Sequence, residues 1–273
     1  MRALLALLLG LCLTLPAAAQ NSGLRRLTER DDLFGWEAVG RLDITGTGFC
    51  TGTLIAPDLV LTAAHCAFDA RTRAHYQPGE ITFRAGFRDG KSVAERNVVQ
   101  IATPDGFIPN AAPSADRIRA DVALMRLADP IPTALADPFA LHSGDVSGSE
   151  ISVSSYGRGR AEAISRQRSC QLLWRQAGLM SFDCDVTFGS SGAAILAHEG
   201  SRGRILSLVS AGTVAEGRPI GFGMELSGTV ETLKRQMRRD APAPQAEIKR
   251  LKVGGGLSGS SGTGPKFVRP GGS

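Results

Sequence analysis

Aromatic residues are scarce in this chain, at 5% of 273 positions with only two Trp and two Tyr. Few flat rings means few platforms on which the bases of a nucleic acid strand can stack. The formal net charge is +5, but the Lys and Arg are scattered along the chain instead of gathered into one patch, so no nucleic acid partner is expected. Beyond the N-terminus no segment is long and apolar enough to span a bilayer, which takes about 20 residues. The cysteines show none of the close pairs that zinc modules use, and a zinc site is the weaker reading of them; no metal and no cofactor are expected.

What is present begins with export. Arg2, the apolar run Ala3 to Leu15 and the small residues Pro16-Ala17-Ala18-Ala19 predict a signal peptide over 1–19, with Gln20 opening a secreted or periplasmic protein. A membrane anchor is the competing reading, but the run is too short for one. Cys12 leaves with that segment. Cys50, Cys66, Cys170 and Cys184 remain, and four cysteines in an exported chain predict two disulfides with three possible connectivities. Proximity in sequence favours Cys50 with Cys66 and Cys170 with Cys184.

The glycine count of 33 suits many short strands and tight turns. Residues 20–35 are polar and aperiodic, a leader, surface strap or pro-segment. Strands are predicted at Glu37–Ile44, Gly48–Ile55, Leu59–Thr62, Ile81–Ala85, Val93–Thr103 and Val122–Leu127. A second set follows at Ile151–Tyr156, Ser169–Trp174, Leu179–Asp183, Ala193–Ala197, Arg204–Ser210 and Ile220–Leu226. The Pro- and Ala-rich stretch from Ala128 to Gly148 reads as a linker. The fold class is therefore all-β: two antiparallel six-stranded barrels, over 36–135 and 136–240, with a C-terminal α-helix. That helix places Val230, Leu233 and Met237 on one face, with Thr229 as its cap. The Gly- and Ser-rich residues 241–273 read as a disordered tail.

Three residues far apart in the chain carry the chemistry. A serine hydroxyl is a poor nucleophile near neutrality, so a base must take its proton as it attacks. Imidazole suits that task, and a carboxylate must fix its tautomer. His65 follows the apolar run Val60-Leu61-Thr62-Ala63-Ala64 and is tethered by Cys66, whereas His75, His142 and His198 lie in polar surroundings. Asp121 stands where an apolar strand enters the core, a costly place for an unpaired acid. Ser191 lies in Phe188-Gly189-Ser190-Ser191-Gly192, ahead of an apolar run. Gly189 permits the backbone that aims its own N–H and that of Ser191 at one point, as an oxyanion hole requires. Gly259-Ser260-Ser261-Gly262 repeats the four letters with no partners, so the tetrapeptide alone proves little. Ser190 is the local rival to Ser191, but as nucleophile it would displace Gly189 from the oxyanion position.

Phe49-Cys50-Thr51-Gly52, Leu61-Thr62-Ala63-Ala64-His65-Cys66, Asp121-Val122-Ala123-Leu124 and Gly189-Ser190-Ser191-Gly192 together resemble the chymotrypsin/trypsin family of serine endopeptidases, in its bacterial, glutamyl-endopeptidase-like branch. The resemblance runs from about Trp36 to Arg239. It implies a double barrel with the site between the barrels, His65-Asp121-Ser191 as the triad, a protein or peptide substrate and an acyl-enzyme intermediate. It also matches the Cys50–Cys66 pairing to a family disulfide. Ser210-Ala211-Gly212 resembles the family's substrate-binding segment, which implies that Ser210 supports Asp121 and that Gly212 pairs with the substrate backbone.

The departures concern activation and specificity. Ser190 stands where animal trypsins carry the aspartate that receives a newly cut N-terminus, and the chain lacks their Ile-Val-Gly-Gly start. Asp185 occupies the offset of the acid that gives trypsins their Lys/Arg preference, but Thr187 replaces the cysteine that braces that pocket. Asp185 therefore reads equally as a substrate-binding acid or as a structural one. The alternative from another class is a protease-like binding protein without catalysis, which usually lacks a triad member. An α/β-hydrolase requires Ser before Asp before His, the wrong order here.

Overall fold

The computed structural model describes residues 23–144, 148–198 and 202–241. The expected signal peptide and all but the first residue of the expected tail lie outside the described residues.

Fourteen strands run in chain order among the described residues: β1 Leu24–Arg26, β2 Val39–Ile44, β3 Gly48–Ala56, β4 Leu59–Thr62, β5 Ile81–Ala85, β6 Ala94–Ala102, β7 Ala123–Leu127, β8 Glu150–Gly157, β9 Arg160–Gln176, β10 Leu179–Phe182, β11 Ala194–Ala197, β12 Arg204–Leu208, β13 Ala211–Ala215 and β14 Arg218–Met224. The helices are α1 Arg30–Leu33, α2 Ala115–Ala120 and α3 Ser227–Arg239. Strands β2 to β7 close into an antiparallel barrel in the order β2-β3-β4-β7-β6-β5. Its interior is filled by Leu42, Leu54, Val60, Phe83 and Met125, all fully buried and on one face of their strands. The alternation that buries Leu42 and Ile44 while leaving Arg41 and Asp43 half-exposed is the period of two that a one-sided strand requires.

The second half differs from the six-stranded barrel expected. It is a wound sheet in the order β12-β11-β8-β9-β10-β14-β13, with β1 added beside β9. Among the described residues no backbone ladder closes β12 onto β14. The Ser207 hydroxyl does that work instead, donating to the Met224 carbonyl at 2.8 Å and accepting from its N–H at 2.9 Å.

The two ends of the chain cross over. The leader strand β1 pairs with β9 of the second sheet, and Leu27 after it is buried. Helix α3, at the far end, packs on β6 and β7 of the first barrel. Val230, Leu233 and Met237 are its buried face, as the periodicity predicts, and Gln100 donates to the Met237 carbonyl at 3.0 Å. Thr229 is not the cap: the helix already begins at Ser227 and has no side-chain cap.

Candidate active site

Strands β4 and β7 are antiparallel neighbours, and Thr62 stands opposite Ala123. His65 lies three residues beyond the end of β4, on a 3-10 turn at Ala64–Ala67, and Asp121 lies two residues before the start of β7, at the end of α2. Antiparallel pairing therefore brings both to the same rim of the barrel. The Cys50–Cys66 disulfide pins the turn to β3. Asp121 is fully buried and acts as a bracket: one carboxylate oxygen accepts the His65 backbone N–H at 2.8 Å, and the other meets His65 Nδ1 at 2.8 Å. Ser210 Oγ donates to that second oxygen at 2.6 Å. Burial pushes the Asp121 carboxyl up, but the facing His65 and the bonds from His65 and Ser210 outweigh it and hold the group below its ordinary value. A carboxylate at Nδ1 can only accept, so that nitrogen carries the proton and Nε2 is left with its lone pair.

Ser191 reaches the same place from the second sheet. The segment 187–193 is tied on both sides. Thr51 of β3 donates its N–H to the Ser191 carbonyl at 2.9 Å and its hydroxyl to the Gly189 carbonyl at 2.8 Å, while the Gly192 N–H bonds the Val209 carbonyl at 2.8 Å. Two glycines in this loop have no substitute. Gly189 has φ +92°, and a Cβ there would lie 2.3 Å from the Phe49 ring; Gly192 has φ +79°, and a Cβ there would lie 2.1 Å from Thr62 Oγ1. Among the described residues the Gly189 and Ser191 N–H groups have no hydrogen-bond partner, unlike the neighbouring Ser190 N–H, which is bonded to the Thr187 carbonyl. No hydrogen bond joins the Ser191 hydroxyl to His65 among the described residues. Both side chains face one cleft, and catalytic hydrogen bonds of this kind tighten only when substrate is bound.

Ser190, the rival hydroxyl, is fully buried on the other side of the loop. It donates to the Tyr156 carbonyl at 3.1 Å and receives Arg160 Nη2 at 3.1 Å and the Thr187 N–H at 3.2 Å. Arg160 was not singled out in the sequence. Its guanidinium also reaches the Ser155 carbonyl at 2.8 Å and the Asp185 carbonyl at 3.2 Å, and it nests where a Cβ on Gly157 would lie 2.9 Å away. Burial lowers the pKa of Arg160 and the charge of Asp185 works against that fall, so the cation sits under the loop with an acid nearby.

The cleft has a volume of about 540 Å³ and is lined by His65, Ser191, Ser210, Gly212, Thr213 and a wall that includes Val186, Val209, Val214 and Pro219. Asp185 is not among its lining residues. Its N–H is held by Gln167 at 2.7 Å, and the Cys170–Cys184 bridge fixes the chain just before it. The Cys50 and Cys66 sulfurs lie within 4.8 Å of a His65 ring nitrogen, a cluster that could suit a metal, but the sulfurs are bonded to each other and offer no thiolate. No helix among the described residues is long and apolar enough to cross a membrane.

Comparison with solved structures shows the same architecture. A glutamyl endopeptidase aligns with a TM-score of 0.64 at 21% identity, covering 79% of this chain and 97% of its own. The protease Anisep from Arthrobacter nicotinovorans aligns at 0.59 and 15% identity, covering 73% and 94%. A thermostable serine protease, AL20, from an extremophilic microorganism gives 0.56 and 18%, covering 73% and 96%. At these identities the likeness is one of fold. The sequence itself goes further, because the family described as Trypsin matches residues 32–227, a span that takes in every strand but β1 and every residue of the cleft. The chain accordingly belongs to the trypsin family of serine endopeptidases.

Proposed function

We propose that His65, Asp121 and Ser191 form the catalytic triad of this peptidase and that the Gly189 and Ser191 N–H groups form its oxyanion hole. The observation that carries the assignment is the bracket on Asp121, which fixes both the backbone and the ring of His65 beside the cleft that Ser191 faces. Ser191 Oγ attacks the substrate carbonyl carbon while His65 Nε2 takes its proton, and the carbonyl oxygen becomes an anion between the two N–H groups. Such donors lower the barrier by about 3 kcal/mol each. As the intermediate collapses, the C–N bond breaks and His65 returns the proton to the departing amine, leaving an acyl ester on Ser191. Water, deprotonated by the same nitrogen, then releases the acid.

The primary pocket takes an uncharged, apolar side chain. Val186, Val209, Val214 and Pro219 supply its wall, and Gly212 keeps it open, since the direction of its absent Cβ points to Val186 Cγ2 at 3.6 Å. Asp185 serves a structural part next to Arg160. The enzyme works outside the cytoplasm, in keeping with the N-terminal signal pattern and the two disulfides. Treating the purified protein with a serine-directed fluorophosphonate and mapping the adduct tests the triad: labelling at Ser191, lost in Ser191→Ala and His65→Ala, is expected. Labelling at Ser190 or nowhere would refute it. A peptide library varied at the residue before the cleaved bond should favour Leu, Met or Phe over Lys and Glu.

A further inference from the structure

Among the described residues, Arg117 is the one ionisable side chain besides His65 in the wall of the cleft. It belongs to α2, four residues ahead of Asp121, and its guanidinium lies over the Phe107 ring at 5.6 Å. Three other half-buried arginines are met by acceptors, Arg41 by Asp43, Arg84 by Glu95 and Arg160 by two carbonyls and two hydroxyls, whereas Arg166, away from the cleft, shares a buried Nε without a partner. Arg119, on the same helix, reaches Asp116 and the Ala177 carbonyl. Arg117 makes no ion pair among the described residues, and its buried Nε has no hydrogen-bond partner. A guanidinium stays charged at any working pH, so a buried donor of this kind is costly until an acceptor arrives.

We infer that Arg117 is a subsite for a carboxylate side chain of the substrate, at the residue immediately before the one held in the primary pocket. This rests on the reading of the cleft as the peptide site. Strand β13 is the free edge of the second sheet and offers its backbone to an extended substrate. Successive side chains of an extended chain point to opposite sides. With one side chain set against Val186 and Val209, its predecessor turns the other way, and His65 and Arg117 line the same cleft. The preferred sequence therefore pairs an acidic residue with an apolar one just ahead of the cleaved bond. The acid gives Arg117 the counter-charge that it lacks among the described residues.

The test uses the full mature protein and peptides with a fixed apolar residue before the cleaved bond, carrying Glu, Gln or Lys one position earlier. Wild-type kcat/KM should fall in the order Glu, Gln, Lys, with Glu ahead of Gln by about fivefold, the size of a partly exposed ion pair. That advantage should shrink between 0.1 and 1 M salt, as the screening length drops to about 3 Å. Arg117→Gln should level the three peptides and Arg117→Glu should favour Lys, with rates normalised to fluorophosphonate labelling of Ser191 in each variant. Equal wild-type rates for Glu and Gln, a Glu preference that survives in Arg117→Gln, or a preference confined to an earlier position would each overturn the inference. Calorimetry on Ser191→Ala with the acyl-side product peptides separates the two readings. If wild type cleaves no peptide while the Glu product binds more tightly than the Gln product, the peptidase reading fails and the Arg117 subsite stands.

Discussion

The two halves of the molecule solve the same architectural problem differently. The first closes its barrel strand to strand and fills it with Leu, Phe and Met, and its edges vanish into backbone ladders. The second leaves its sheet unclosed and buries Ser152, Ser154, Ser155, Ser165, Ser181, Ser190, Ser207 and Ser210. Small hydroxyls do there what ladders do in the first half. Ser207 seams the sheet, Ser190 anchors the loop and Ser210 reaches across to Asp121. The division has a chemical sense. A base and its orienting acid need a rigid rim, while the half that receives substrate needs a free edge and a loop with its amides pointing outward.

The strongest test of that division takes one residue from each half. His65→Ala removes the proposed base from the barrel and Ser191→Ala the proposed nucleophile from the sheet, and each should lower kcat on the order of 10⁶-fold with the fold intact. The double variant should be little worse than either, since the groups act as one unit; additive losses in steady-state kinetics would deny that unity. Gly189→Ala comes next. It forces a methyl group toward the Phe49 ring across the boundary and disturbs one oxyanion donor, so kcat should drop about 10²- to 10³-fold with a smaller change in KM. A KM effect alone would place the loop in binding rather than in the chemical step.

The disulfides sharpen the contrast further. Their sequence separations are 16 and 14, so each should contribute about 3 kcal/mol of stability in the chain-entropy account. Replacing Cys50 and Cys66 by serine should depress kcat through His65, and replacing Cys170 and Cys184 should instead raise KM through the pocket. Denaturant melts and steady-state kinetics on the two pairs would show whether the effects separate in this way. The smallest effect concerns acid. Because Asp121 is held below its ordinary pKa in the folded protein, its ionised, hydrogen-bonded form adds stability above the unfolded carboxylate value of about 3.9. That share is fully present at neutral pH and is lost as pH falls through the lower folded value. The gap in melting temperature between wild type and Asp121→Asn should thus stay constant from pH 7 to 5 and narrow below about pH 4. A gap that closed already near pH 6 would assign the stabilisation to another group.

Most of the first barrel was legible in the sequence because its strands are apolar runs bounded by turn residues, as at Leu59–Thr62 and Ile81–Ala85. Strand β9 was only partly legible. It was predicted from Ser169 but begins at Arg160, because its inward positions there are Ala163, Ser165 and Gln167 and carry no apolar alternation. Strand β13 was missed for a related reason: its residues are exposed and backbone pairing to β14 alone defines it. The His65, Asp121 and Ser191 motifs were readable because each is a local turn at a strand end. Arg160 was not, since its partners at 155, 185 and 190 meet only in the folded chain. Arg117 is one of many scattered cations in the sequence, and neither it nor α2 carries a local signal; only the folded cleft singles it out.

The crossing of the chain ends bears on how a protease survives its own synthesis. The last helix supplies Val230, Leu233 and Met237 to the core of the half that was translated first. The apolar face of β6 and β7 thus stays open to water until α3 has been made and docked. On the proposed mechanism, a nascent chain gains its cutting power only once that face is covered.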